Sequence, residues 1–297
     1  MTDFGSCEIC STDAWAPVHE GVIRDGVFGK HSHGTVSRCS GCGAERLAER
    51  ACLPDSAYET EEYRAKLEGG LTTGDYFAGH DDLQLFTVEQ LWPRSLRGAA
   101  IVDIGCGGGA LLDQFAGMAA DLVAVEPTPL FHPTLKDRGY RVFPFAPDAE
   151  QAGVKVDFAF SVQVIEHVLN PRTFLESIRP LLKPGGRLLI STPNRNDVLM
   201  KLLPDAFPPF FYRKVHRWYF DAESLGRCAR AAGFKVEAER YVHRYPMANT
   251  LHWLRDLAPK GRTPMPGIEP LADGLWQDYL VSTGQADCLY LELSIAG

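Results

Sequence analysis

From about residue 98 onward, short apolar runs alternate with stretches of helical character. Ala99-Ala100-Ile101-Val102 reads as a buried strand that enters the glycine-rich turn Gly105–Gly109 and then a helix from about Ala110. Asp121–Glu126, Arg141–Phe145, Val156–Ser161 and Arg187–Thr192 continue the series of strands, and Lys235–Glu239 and Cys288–Ile295 close it. Helical pattern appears at Asp81–Trp92, from Asp221 to Gly233 (with Asp221 and Ser224 as the start signal), at Thr250–Leu257 and at Leu271–Val281. Strands alternating with helices predict an α/β fold with a parallel, doubly wound sheet whose ligands sit at the carboxyl ends of the strands. Gly105–Gly109, Glu126, Asp148 and Glu166–His167 all fall at such ends. Upstream, Asp55–Glu68 is a charged, helical stretch carrying Tyr58 and Tyr63, and Gly69-Gly70 ends it. Thr73–Phe77 either folds over a ligand as a lid or packs Tyr76 and Phe77 under the next helix.

The run Val102-Asp103-Ile104-Gly105-Cys106-Gly107-Gly108-Gly109 carries the most chemistry. Glycine allows a sharp turn and a close backbone approach to a ligand. Gly105-x-Gly107-x-x-Ala110 also fits a dinucleotide fingerprint, which alone is weak. Asp103 shifts the balance, because a carboxylate there suits a cationic ligand and repels a pyrophosphate. The pattern resembles the first motif of class I S-adenosylmethionine-dependent methyltransferases, whose cofactor carries an ammonium and a sulfonium. Glu126 follows Asp103 by 23 residues, near the spacing of about 20 at which a second-strand acid takes ribose hydroxyls. That acid serves nicotinamide enzymes equally well, so a nicotinamide-dependent oxidoreductase is the competing enzyme class.

Ile165-Glu166-His167-Val168, an intervening helix, Leu182-Lys-Pro-Gly-Gly186, an apolar strand and Ser191-Thr-Pro-Asn194 follow in order. Across about residues 98–196 this succession is similar to the ubiquinone-biosynthesis and related small-molecule O-methyltransferases. The resemblance implies a Rossmann-like, seven-stranded methyltransferase sheet whose last strand, Cys288–Ile295, runs antiparallel. It implies cofactor contacts from Asp103, Gly105, Cys106, Gly107, Glu126 and Val162, and from Asp148 at the adenine amino group. Asp148 can equally cap a turn or helix. Transfer to a hydroxyl needs a base, and His is the usual one at neutral pH. His167, beyond the fourth strand, and His216 are the candidates. His167 can instead hold the loop by hydrogen bonds, and His216, among Arg213, Lys214 and Arg217, reads more readily as a surface residue. Relatives that bind a catalytic metal show Glu-x-x-Glu-His. Gln163 stands at the first position here, so no catalytic metal is expected.

Four of the eight cysteines form two Cys-x-x-Cys knuckles, Cys7/Cys10 and Cys39/Cys42, with 28 residues between them that suit a hairpin. Paired knuckles supply four thiolates to a closed, structural zinc site. His31 and His33 read as solvent-facing loop residues rather than substitute ligands. The predicted division is a zinc-ribbon module (1–50), a helical linker or lid region (51–97) and a methyltransferase domain (98–297) with cap segments at about 198–220 and 246–287. A zinc ribbon before such a domain is similar in architecture to deoxysugar C-methyltransferases. Those carry a further C-terminal domain of roughly a hundred residues, which makes sugar C-methylation the alternative reaction. A third class is a non-catalytic zinc-ribbon scaffold, against which the intact glycine motif and Asp103 argue.

A formal net charge of −8 without long basic runs argues against a broad nucleic-acid footprint. Hydrophobic residues at 45% and charged ones at 23% are ordinary for a globular domain. No apolar stretch reaches the roughly eighteen residues of a membrane helix, and the first residues lack a basic-then-apolar signal. The expectation is a cytoplasmic enzyme of a small metabolite, with the cap as its substrate cover or a homodimer surface.

Overall fold

The structure, a computed structural model, describes residues 4–25, 30–54, 57, 60, 73–91 and 94–297. Its strands are β1 (Trp15–Arg24), β2 (His31–Cys39), β3 (Glu45–Leu47), β4 (Ala100–Ile104), β5 (Asp121–Val125), β6 (Arg141–Phe143), β7 (Val156–Val162), β8 (Leu182–Pro193), β9 (Trp218–Tyr219), β10 (Phe234–Val242) and β11 (Cys288–Ile295). The helices are α1 (Thr73–Glu89), α2 (Ala110–Asp113), α3 (His132–Asp137), α4 (Ala146–Gln151), α5 (Pro171–Ile178), α6 (Val198–Leu202), α7 (Pro208–Phe211), α8 (Ala222–Ala231), α9 (Met247–Asp256) and α10 (Pro270–Ser282).

Seven strands form the larger sheet in the order β10-β11-β8-β7-β4-β5-β6. β11 runs antiparallel to both of its neighbours, while β7, β4, β5 and β6 pair in parallel. This is the Rossmann-like methyltransferase arrangement. Every residue of β4 is buried, as a central parallel strand covered on both faces must be. Val102 and Ile104 join one core with Val123, Leu188 and Leu291, while Ile101 joins the opposite core with Phe160, Leu189 and Leu111. Local signals start the helices, at Asp221 as expected and at Asn170 as well. Asn170 Oδ1 accepts from Thr173 N at 3.0 Å to cap α5, and Asp221 and Ser224 form a reciprocal capping box on α8. Gly233, at φ +83°, then ends α8.

A second, four-stranded antiparallel sheet runs β1-β2-β3-β9. β1 and β2 are the hairpin expected between the cysteine knuckles, but β9 comes from residues 218–219, far along the chain. Tyr212 donates its hydroxyl to Glu45 at 2.9 Å, and Arg195 bridges Asp221 and the Gly43 carbonyl. The cysteine-bearing sheet and the first cap segment are therefore one packed body. Phe207, Phe211, Tyr212, Tyr219 and Trp253 form a third core with Ile23, Val36 and Leu47.

Two expectations change in detail. The helix expected over 81–92 starts eight residues earlier and includes Tyr76 and Phe77, with Gly74 and Gly79 inside it. The fifth strand starts at Leu182, because Lys183–Gly186 continues it across a register shift against β7. Most of the charged stretch Asp55–Glu68, with Tyr58 and Tyr63, lies outside the described residues, as do Gly69 and Gly70. Among the described residues no helix is long and apolar enough to cross a membrane.

Candidate active site

A cavity of about 640 Å³ opens at the carboxyl ends of β4, β5 and β7. Its floor is the glycine loop, tied down where Gly105 N and Cys106 N donate to the Val125 carbonyl at 2.7 and 3.2 Å. Gly105 sits at φ +79°, and a Cβ there would stand 2.5 Å from Val164 Cγ2. Gly107, at φ +53°, would meet the Tyr76 hydroxyl at 2.7 Å. Both positions need glycine for backbone shape and for space. Tyr76 is buried over this loop, donates to the Cys106 carbonyl at 3.1 Å and stacks on His80 with ring centroids 4.1 Å apart. Thr73–Phe77 is the first part of α1, and Tyr76 from it lies over the glycine turn.

Of the residues expected to touch the cofactor, Asp103, Gly105, Cys106, Gly107, Glu126 and Val162 line this cavity. Asp103 is 4% exposed, and burial, reinforced by the neighbouring Glu126, pushes its carboxyl up to about 8. Glu126 is fully buried and accepts from Gly107 N at 2.7 Å and Thr128 N at 2.9 Å. These amides fix the carboxylate on the cavity wall, where a ribose could meet it. Asp148 does not line the cavity. Its carboxylate accepts from Phe145 N at 3.1 Å at the start of α4, while Phe145, Ala146 and Pro147 provide the wall there. The cap is thus formed in the ligand-free chain.

His167 also lines the cavity. Its Nδ1 lies 2.6 Å from the Val215 carbonyl. A carbonyl can only accept, so Nδ1 carries the proton and the basic lone pair of the neutral ring is on Nε2. His216 is not on the surface and not on the cavity wall. It is 4% exposed, its ring meets His167 edge-on at 4.8 Å, and burial holds it well below its ordinary pKa. The basic run around it suggests a surface, but β9 pairs with β3 and draws the segment inward. Glu166, buried and pushed up to about 7 by burial, brings a carboxylate oxygen within 4.8 Å of nitrogens of His167 and His216. These three could hold a cation although Gln163 is no strong ligand. Gln163 itself sits at φ +57°, an uncommon conformation of the kind found at functional sites.

The cap aromatics do not line this cavity. Phe207, Phe211 and Trp253 fill the third core, and the roof comes from Tyr76, His80, Leu83 and Gln84 of α1. His80, Gln84, Arg244 and Tyr290 belong to no local motif and were not legible as site residues.

Beside the four-stranded sheet, one ligand atom from each of Cys7, Cys10, Cys39 and Cys42 lies within 4.8 Å of the rest. Cys7 and Cys42 sulfurs are 3.6 Å apart, and Cys10 and Cys39 sulfurs 3.5 Å. Disulfide sulfurs would stand about 2.05 Å apart, whereas a tetrahedral zinc with Zn–S of about 2.3 Å sets them near 3.8 Å. His31 and His33 are exposed on β2.

The residues around the glycine loop fit S-adenosylmethionine. A buried acid can receive its ammonium, a second acid its ribose, and the wall at 145–147 its adenine. Comparison with known proteins agrees. A family model described as a methyltransferase domain matches residues 83–239, just over half the chain. The chain is 30% identical over 173 residues to the ubiquinone biosynthesis O-methyltransferase of Aeromonas salmonicida, covering 52% of this chain and 70% of that one. It is 37% identical over 112 residues to the enzyme of the same name from Cereibacter sphaeroides, covering 35% of this chain and 45% of that relative, about half its length. A chain of the solved Haloferax volcanii complex between a methyltransferase and its activator matches with a TM-score of 0.50 at 16% identity, over 76% of this chain and 96% of that one. That likeness concerns the fold. A family match over most of the seven-stranded sheet makes this chain a member of the methyltransferase-domain family, and it is a class I S-adenosylmethionine-dependent methyltransferase.

Proposed function

We propose that the chain transfers the methyl group of S-adenosylmethionine to a hydroxyl of a small metabolite, with His167 as the base. The observation that carries this reading is the pairing of His167 Nδ1 with the Val215 carbonyl on the wall of the cofactor cavity. Methyl transfer is an in-line displacement, so the protein's task is to orient donor and acceptor and take one proton. An imidazole whose tautomer is fixed by a backbone carbonyl is suited to that task. The apolar walls Val164, Val168, Leu169 and Phe174 suit the body of a small acceptor and exclude water from the transfer. His216 supports His167 by edge contact and stays neutral. Relatives named for ubiquinone biosynthesis O-methylation support the same reaction class. The test is a screen of hydroxylated metabolites with 13C-methyl-labelled cofactor, read by NMR. Label in methoxy carbon is expected; label only in C-methyl or N-methyl carbon would contradict the reading.

We further propose that the chain divides at about residues 50 and 97, and that Cys7, Cys10, Cys39 and Cys42 hold one structural zinc. Four thiolates around Zn²⁺ leave two negative charges, and Arg227 and Arg195, donating to the Gly41 and Gly43 carbonyls of the second knuckle, can offset them. Metal analysis of protein made with zinc supplied should give about one zinc per chain, released by thiol modification and lost in Cys39→Ser. Zinc-free protein of unchanged melting temperature would contradict the assignment.

A further inference from the structure

The cofactor cavity has a polar annex beside α1. A smaller cavity of about 220 Å³ is lined by Ala78, Gly79, Asp82, Leu83, Arg244, Tyr245 and Arg262, and it shares Leu83 and Arg244 with the main one. Arg244, two residues beyond β10, thus faces both spaces. Its guanidinium is held in place: Nε and Nη2 lie 2.7 and 2.6 Å from Asp287 Oδ2, and the Arg244 amide donates to Asp287 Oδ1 at 2.8 Å. Asp287 is itself buried, its amide donating to His243 Nδ1 at 3.2 Å. Nη1 of Arg244 meets no acceptor among the described residues. A cation fixed before any ligand arrives loses little freedom on binding, and a guanidinium matches a carboxylate by shape as well as charge.

Two more groups flank Arg244, one in the annex and one in the main cavity. Arg262, half exposed, stands at the outer edge, 3.8 Å from an Asp82 carboxylate that is 82% exposed. Such a loose surface pair is worth little and yields easily to a better anion. On the inner side, the Gln84 amide oxygen is buried without a partner, and Gln84 lines the main cavity. Position along the sheet separates this cluster from the cofactor. Asp103 and Glu126 belong to β4 and β5, whereas Arg244 follows β10, with β11, β8 and β7 between.

We propose that the acceptor is a hydroxy acid, whose carboxylate is received by Arg244 and Arg262 while its hydroxyl is presented to His167. This rests on the hydroxyl-acceptor reading above and names its substrate class. The apolar wall between the two ends then holds the body of the molecule.

The probe pair is 3,4-dihydroxybenzoate and its neutral N-methylamide, titrated into protein saturated with S-adenosylhomocysteine. The acid should bind at least about tenfold more tightly than the amide. Arg262→Ala, at an exposed position, and Arg244→Lys, which keeps a cation beside Asp287, should each cut that ratio severalfold and leave S-adenosylhomocysteine affinity within about twofold. Equal binding of the two probes, no binding of the acid at millimolar concentration, or a ratio that survives both variants would overturn the subsite. A matching loss of S-adenosylhomocysteine affinity in both variants would assign the arginines to the cofactor and overturn it equally. Methyl transfer is read separately. An acid preference without transfer to any hydroxyl supports the subsite and counts against the hydroxyl reading alone.

Discussion

His167→Ala is expected to lower turnover by about 10²–10⁴-fold while the affinity for S-adenosylhomocysteine stays within about twofold. The split between the two readouts follows from where the residue stands. His167 lies beyond β7 on the cavity wall, whereas Asp103 and Glu126 are on β4 and β5. Its Nδ1 is engaged by Val215, a residue of the first cap segment, so the ring also ties that segment to the end of β7. His167→Gln preserves a donor toward Val215 without supplying a base, and should lose turnover nearly as fully as alanine. If His167→Gln restores turnover, the residue is positional and not the base. A parallel loss of cofactor binding and melting temperature in both variants would likewise make it structural. Turnover retained in both would pass the proton to another group.

Asp103→Asn should weaken S-adenosylhomocysteine by roughly 30- to 5,000-fold at pH 8, which corresponds to the about 2–5 kcal/mol lost when one partner of a buried charge pair is removed. The pH dependence is the sharper signature. In the ligand-free protein, burial and then Glu126 push the Asp103 carboxyl from 3.8 up to about 8. The folded chain therefore binds a proton that the unfolded chain releases between about pH 4 and pH 8. By linkage, this carboxyl makes ligand-free stability fall as pH rises through that window. A bound ammonium favours the carboxylate, so cofactor binding expels the proton. Affinity for S-adenosylhomocysteine should rise up to about tenfold per pH unit below pH 8 and level off above it. Asp103→Asn should flatten both slopes. An affinity independent of pH between 6 and 8 in the wild type would show that no cation is received there.

The parts of the site legible in the sequence are those written in contiguous residues. The turn after β4 declares itself because Gly105 and Gly107 must adopt positive φ beneath α1. The boundaries of α8 are readable because Asp221, Ser224 and Gly233 act within a turn of where they stand. The cysteine cluster is readable because each knuckle is local and only one long-range pairing is needed. What escapes the sequence depends on pairing between distant segments. β9 is two residues long, and nothing around Trp218 announces that it will join β3 and bury His216. The aromatics of residues 204–212 look like a substrate cover until the β1–β2 hairpin is seen to use them as its core. Asp148 illustrates a different limit. An acid three residues into a helix start serves a cap or a ligand with the same sequence signature, and the cap to the Phe145 amide is visible only in the structure. Gln84 and Arg244 reach the cavity from α1 and from beyond β10 respectively, positions that no spacing rule connects.

The most direct test of the central assignment is calorimetric titration of the purified chain with S-adenosylhomocysteine and, separately, with NADH. Both ligands are compatible with a glycine turn followed by a second-strand acid, and only the first brings an ammonium to Asp103. Binding of S-adenosylhomocysteine at about one per chain, with no detectable heat from NADH, is the expected result. Binding of NADH without S-adenosylhomocysteine would contradict it.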